Sequence, residues 1–276
     1  MPDHPLSLEH SFALEGVVHP DLDFLSLSLT ALCIIFLLSI HWAVPRLRKL
    51  NIFDDSILNS ITGGVALGYI LLHLLPSLML NLDQLREETY SNFLGNEKNF
   101  TFLIFMFVLL GFLTLYILEK LAHDKTKNGL ESNQIVYIAH VGTLTYLNFI
   151  IALMMPAVAN ESLSAMIVFT FIMGLHFVLQ DHSMRHHFPK LFDELGRYII
   201  MVGIVIGWLV GVFLLPHTYS VPATLMNAFL AGALILGTVK TEFSLFEGHS
   251  HFPTFIASLS LEAAVSFIIL LLEAIG

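Results

Sequence analysis

The sequence predicts an all-α, polytopic membrane protein, a bundle of eight transmembrane helices. Composition is the first observation: of 276 residues, 56% are hydrophobic and 12% are charged, whereas soluble domains have about a quarter of their residues charged. The second is eight long apolar segments, and the third is a one-sided distribution of basic residues in the loops between them. The net charge of −10, without a basic stripe, argues against nucleic-acid binding.

Each apolar segment approaches the roughly 20 residues needed to cross a bilayer. The segments are 24–44, 57–80, 100–121, 135–156, 163–183, 198–215, 223–246 and 252–275. Because lipid offers no partner to a bare backbone amide, each is predicted to be an α-helix. Residues 1–23 are predicted to be an acidic tail outside the cytoplasm rather than a signal peptide, since they contain no Lys or Arg. Residues 24–276 then form one transmembrane domain.

Basic residues fix the predicted orientation. Ten lie on one side of the predicted spans, and only Arg86 and Lys98 lie on the other. The ten are Arg46, Arg48, Lys49, Lys120, Lys125, Lys127, Arg185, Lys190, Arg197 and Lys240. Cytoplasmic loops carry such an excess, so both termini are predicted to lie outside the cytoplasm, in a plasma or inner membrane.

Polar side chains within the spans predict a route for a divalent cation. Ionisable groups inside a membrane are costly and tend to face the bundle interior. Counting about 1.5 Å per residue from the inner ends of spans four and five places His140 and His176 in one layer. The predicted metal ligands are His73, His140, His176, Gln180, Asp181, His182, His186, His187 and Glu262. Imidazole and carboxylate are ordinary ligands for zinc and similar ions.

Each of these groups also has a structural interpretation. A single histidine in a helix is often a hydrogen-bonded packing residue, and Glu262 is equally consistent with a protonated acid bonded to a neighbouring helix. The group of His182, His186 and His187 has two alternatives: a solvated helix end, or one histidine box of a membrane di-iron enzyme. Such enzymes need several boxes, so we do not expect an enzyme.

Three stretches resemble the ZIP family of divalent-metal transporters. Residues 63–76, ending in His-Leu-Leu-Pro, are similar to the second span of that family. Residues 111–120 resemble the end of its third span, and 230–234 resemble part of its seventh. The resemblance implies eight spans, both termini outside, alternating access and a divalent metal ion, zinc above all, as substrate.

The sequence departs from the family at the metal motifs. Where the fifth span of the family reads His-Glu-x-Pro-His-Glu, residues 176–181 keep His176 but have Gln180 and Asp181 in place of the second histidine and the last glutamate. In the fourth span, the stretch that matches the motif of the family, residues 145–150, keeps no charged ligand, and Asn148 is its one candidate oxygen ligand. The first hypothesis is therefore a permease with an altered site, and the alternative is a transport-incompetent relative that acts as a regulator or binding protein. Small residues at 203, 207 and 211 lie on one face of span six, which favours close approach of another helix and made a homodimer plausible.

Overall fold

A computed structural model describes residues 24–47, 55–79, 97–127, 134–161, 163–213, 221–242 and 251–275. Within these ranges the chain is helical and contains no β-strand. This confirms the predicted all-α class. The predicted acidic tail, residues 1–23, lies outside the described residues.

Eight long helices follow one another along the chain. They are α1 (Phe24–Leu47), α2 (Asp55–Tyr69), α3 (Glu97–Lys127), α4 (Gln134–Glu161), α5 (Leu163–His187), α6 (Arg197–Phe213), α7 (Val221–Glu242) and α8 (Phe252–Ile275). A short turn, Pro189–Leu191, and a π-helical turn, Phe192–Gly196, join α5 to α6. Helix α5 thus extends four residues beyond the predicted end of span five at 183.

Six of the helices are long and apolar enough to cross a membrane, namely α1 to α6 with their flanking turns. Helices α7 and α8 carry shorter apolar stretches, Thr224–Val239 and Phe252–Ile268. Large apolar side chains also cover the outside of the bundle; Phe102 is 67% exposed and Ile117 is 53% exposed on α3. The structure is therefore compatible with an integral membrane protein, while the crossing by α7 and α8 stays a prediction.

Glycines allow the helices to approach closely. Each glycine of the ridge on α6 lies against the backbone or side chain of one residue of α4. The pairs are Gly203–Thr145, Gly207–Phe149 and Gly211–Leu153. From one pair to the next, the residue number increases by four on α6 and by four on α4. The two helices therefore run parallel, and small residues of α6 line their contact. The glycine ridge is covered by α4 of the same chain, and the reason for expecting a homodimer through it was wrong.

Helices α2 and α8 meet in the same way. Gly64 lies against Ser258 and the carbonyl group of Phe255, and Gly68 lies against the carboxylate of Glu262. A side chain at Gly68 would occupy the space that the carboxylate fills. The absence of a side chain at this position therefore admits a charged group into the interface between two apolar helices.

A π-helical turn interrupts α2 at Ile70–Leu74, where the amide of Leu75 donates to the carbonyl oxygen of Ile70. Pro76 follows directly, and the helix resumes to residue 79. Proline has no amide hydrogen and its ring crowds the carbonyl group four residues earlier, so a wider turn before it relieves the clash. Such turns occur frequently at functional sites, and His73 lies within this one.

Candidate functional site

Among the described residues, three carboxylates are buried in the bundle, and each contacts an imidazole of another helix. The carboxylates are Glu119, Asp181 and Glu262. Their imidazole contacts are Glu119–His140, Asp181–His41 and Glu262–His73. Burying an unpaired charge is costly, and ionisable groups in spans generally pair and mark ion or proton pathways. These pairs are therefore the candidate functional groups.

The pair of His41 and Asp181 joins α1 to α5. The Nδ1 atom of His41 lies 2.8 Å from Oδ1 and 2.9 Å from Oδ2 of Asp181, and both side chains are 0% exposed. With Asp181 ionised, Nδ1–H donates to the carboxylate. The ring of His41 stacks on Phe177 with centroids 4.8 Å apart. Its Nε2 atom is buried without a hydrogen-bond partner among the described residues.

Glu119 connects three helices. Its Oε1 atom lies 3.4 Å from Nε2 of His140 on α4 and accepts a hydrogen bond of 3.3 Å from Ser183 on α5. Its Oε2 atom lies 3.6 Å from Nε2 of His187, also on α5. We call Glu119, His140, Ser183 and His187 the Glu119 cluster. Two imidazoles on opposite oxygens of one carboxylate give it a full set of compensating neighbours.

An amide pair occupies the position where the family resemblance places a metal site. The Nδ2 atom of Asn148 donates to Oε1 of Gln180 at 2.9 Å and to the carbonyl oxygen of Leu144 at 2.7 Å. Oδ1 of Asn148 and Nε2 of Gln180 are buried, with no partner within the described part of the chain. A neutral hydrogen bond between α4 and α5 thus joins two of the positions at which the sequence departs from the metal motifs of the family.

A third group of polar side chains lies between α2 and α8. Nε2 of His73 lies 2.7 Å from Oγ of Ser266, and the same hydroxyl donates to Oε1 of Glu262 at 2.8 Å. Nε2 of His73 is also 3.5 Å from Oε1 of Glu262. We call His73, Glu262 and Ser266 the α2–α8 cluster.

The α2–α8 cluster and the Glu119 cluster lie toward opposite ends of the bundle. Tyr69, one turn before His73, contacts the ring of Phe169 near the start of α5. His187 is the last residue of α5. Eighteen residues, or about 27 Å of helix, separate Phe169 from His187. The amide pair and the pair of His41 and Asp181 lie between these two ends.

The predicted common layer of His140 and His176 was wrong. Helices α4 and α5 are antiparallel, with Asn148 bonded to Gln180, and the ring of His140 lies 6.1 Å from that of Phe188. His176 lies one helical turn before Gln180 on α5, so it is on the opposite side of the amide pair from His140. Its ring lies beside that of Phe177. The prediction counted depth from an assumed inner end of span five at residue 183. Helix α5 instead continues to His187, so the end of α5, and not His176, lies at the level of His140.

The other predicted residues separate into different groups. His73 and Glu262 do meet, and His140 and His187 both lie beside Glu119, but Asp181 faces α1 and Gln180 faces α4. His182 lies on the half-buried surface of α5, and the side chain of His186 lies outside the described residues. No continuous ligand set therefore forms in this conformation from the residues that the sequence predicted.

Two participants were not predicted. His41 is the single histidine in the apolar part of α1, and the rule that intramembrane ionisable groups mark function would have included it. Ser266 follows Glu262 by one helical turn, the spacing at which a hydroxyl reaches a carboxylate on the same face. That spacing was the available signal.

No metal centre is apparent among the described residues. No group of three or more His, Cys, Asp or Glu side chains within those ranges is placed to hold a metal ion. In the Glu119 cluster, the two histidines contact different oxygens of the carboxylate. The binding of zinc therefore stays a prediction.

Comparison with known proteins gives no relative. No family model, no curated protein and no solved structure matches this chain. Function has to be argued from the geometry of the polar side chains.

The amide pair predicts a measurable coupling between α4 and α5. Asn148→Leu and Gln180→Leu each remove one side of the hydrogen bond, and the double variant removes both. Interhelical hydrogen bonds in membranes contribute about 0.6 kcal/mol on average and up to about 1.7. We expect a coupling free energy in that range from a double-mutant cycle of unfolding in detergent. A coupling of zero would contradict the bond.

Proposed function

We propose that this chain is an integral membrane permease for a divalent cation of the zinc, iron or manganese class, with an eight-span, ZIP-like architecture and an altered intramembrane site. The observation that carries the proposal is the pairing of each buried carboxylate with an imidazole of another helix. Each pair brings together the two side-chain types that bind these cations best. The bilayer and the metal ion are its proposed partners.

The pairs have a physical role in the absence of the ion. A carboxylate in a low-dielectric interior is expensive unless another group compensates it. An imidazole at 2.8–3.5 Å provides this compensation for Glu262, Glu119 and Asp181. A cation that arrives at such a pair can replace the imidazole as the neighbour of the carboxylate. The carboxylate then has a compensating neighbour both with and without the ion, so the ion can leave as well as bind.

The order of the groups supports a direction of passage. Arg185, Lys190 and Arg197 lie at the end of the bundle that contains the Glu119 cluster. If this end faces the cytoplasm, as the excess of basic residues favours, the α2–α8 cluster faces the other side. The ion passes from there to Asp181 and leaves beside His187. Movement of one helix group against another opens the site to each side in turn, as in other secondary transporters.

Zinc uptake into vesicles tests the proposal. Purified protein in proteoliposomes should raise the initial rate of zinc entry above that of protein-free vesicles. Glu119→Gln removes the central acid of the Glu119 cluster and should lower this rate by about tenfold or more. Asp124→Asn on the same helix is the matched control, because Asp124 is exposed, and should transport as the native protein does. Equal rates with and without the protein would overturn the proposal.

The amide pair supports a second candidate function. In this alternative the chain is a ZIP-like protein that does not transport and acts as a regulator or binding protein. Asn148 and Gln180 are hydrogen-bonded to each other where a transporter of this kind needs anionic ligands. Calorimetric titration of the purified protein with zinc, manganese, iron and cadmium, together with uptake of the same ions into vesicles, separates the two candidates. A permease binds at least one of these ions and moves it into vesicles, whereas a transport-incompetent relative gives no uptake for any of them.

A further inference from the structure

The α2–α8 cluster brings three donor atoms into one small triangle. The edges are 2.7 Å from His73 Nε2 to Ser266 Oγ, 2.8 Å from Ser266 Oγ to Glu262 Oε1, and 3.5 Å from Glu262 Oε1 to His73 Nε2. Ligands bound at about 2.0–2.2 Å on adjacent positions of one tetrahedral or octahedral ion are about 2.9–3.5 Å apart. The triangle therefore needs adjustments of a few tenths of an ångström, and the ring proton of His73 must move from Nε2 to Nδ1, for the three atoms to hold an ion at its face.

The triangle is built into the fold. Glu262 has a side chain that is 4% exposed, and Gly68 leaves the space that its carboxylate fills. The second oxygen of that carboxylate, Oε2, is buried and has no hydrogen-bond partner among the residues that the structure describes. An acid with one oxygen unsatisfied in an apolar interface is costly without a counter-charge, and a cation would supply that charge.

The triangle also has an open side. The side chain of His73 is 34% exposed, far more than Glu262. His73 stacks on Tyr69, one turn away on the same face of α2, and Tyr69 in turn contacts Phe169 of α5. His73 is thus the accessible member of the triangle. The π-helical turn at Ile70–Leu74 sets the orientation of this residue.

We infer that His73, Glu262 and Ser266 form a divalent-cation subsite in which the hydroxyl of Ser266 is a direct ligand. The inference rests on the proposed permease function and names the first site that the ion occupies. One imidazole nitrogen and two oxygens suit zinc, manganese, iron(II) or cobalt(II) rather than copper(I), which prefers sulfur. Three protein ligands leave positions for water, so the ion is held reversibly.

A thiol in place of the hydroxyl tests direct ligation. In Ser266→Cys, a cobalt(II) ion at the subsite acquires a thiolate ligand and should show a near-ultraviolet thiolate-to-cobalt charge-transfer band. Ser260→Cys is the matched control, since Ser260 is an exposed serine on the same helix. It should show no such band beyond the background from Cys33, which both variants share with the native protein. Identical spectra for the two variants would overturn the inference.

Affinity gives an independent readout. Manganese(II) bound to purified protein in detergent is measured by the loss of the free-ion signal in electron paramagnetic resonance. Ser266→Ala should weaken binding by about tenfold, while Ser266→Thr, which keeps the hydroxyl, should bind within about twofold of the native protein. Equal affinity of the alanine variant and the native protein would contradict a ligand role for Ser266.

These tests separate the subsite from the permease proposal. Binding is measured in detergent, where no flux occurs, and uptake is measured in vesicles. Uptake by the native protein with no cobalt band in Ser266→Cys would overturn the subsite and leave the permease proposal standing. A cobalt band without uptake by the native protein would support the subsite as a binding site and overturn the permease proposal.

Discussion

Asp181→Leu is expected to lower the free energy of unfolding by about 3–5 kcal/mol, the cost of removing one member of a buried carboxylate–imidazole pair. Both His41 and Asp181 are fully buried, and the carboxylate accepts from Nδ1 with both oxygens. Leucine leaves that donor without an acceptor. Asp181→Asn is the milder comparison, because its amide oxygen can still accept one hydrogen bond. Unfolding in detergent, followed by circular dichroism, measures the difference.

The double variant His41→Phe with Asp181→Leu separates pairing from packing. Phenylalanine keeps a ring to stack on Phe177, and leucine keeps the branching of aspartate with two methyl groups in place of the two carboxylate oxygens. Replacing both members of a buried pair by apolar groups is often neutral, so most of the lost stability should return. Losses that simply add in the double variant would show that the two side chains do not interact as described.

Gly207→Ala is expected to have the second largest effect. A methyl group at this position meets the carbonyl oxygen of Phe149 on α4, and a backbone group cannot rotate away as a side chain can. Overpacking of this kind costs about 1–3 kcal/mol. The variant should therefore unfold at lower temperature than the native protein.

Gly142→Ala is the matched control for this substitution. It lies on α4, the helix that Gly207 of α6 contacts, but among the described residues no atom of another helix lies within 4 Å of the position of its added methyl group. Alanine is the better helix former, so this variant should be as stable as the native protein or slightly more stable. A similar loss in both variants would contradict the close contact between α4 and α6.

The helices could be predicted from the sequence because a lipid environment leaves few alternatives. A long apolar run must satisfy its own backbone amides, and hydrophobicity alone identifies it. The ends were less certain: polar residues from His182 to His187 blurred the end of span five, whereas the helix continues through them. The prediction of α7 and α8 as spans depended on apolar runs that the structure describes only in part.

The contacts within the site could not be predicted from depth alone. Counting residues along a helix gives a level but not the direction of a side chain or the offset between two helices. His140 and His176 were assigned to one level, yet the bond between Asn148 and Gln180 sets an antiparallel register that separates them. His41 was missed for a related reason, since nothing local in α1 indicates that Asp181 lies beside it.

The most direct test of the central claim is the initial rate of zinc entry into vesicles that contain the double variant His41→Phe with Asp181→Leu. The variant is expected to be nearly as stable as the native protein but to lack one carboxylate–imidazole pair. If these pairs carry the ion, the native protein transports zinc and the stable variant admits it no faster than protein-free vesicles do. Native and double-variant vesicles that take up zinc at the same rate would contradict the account.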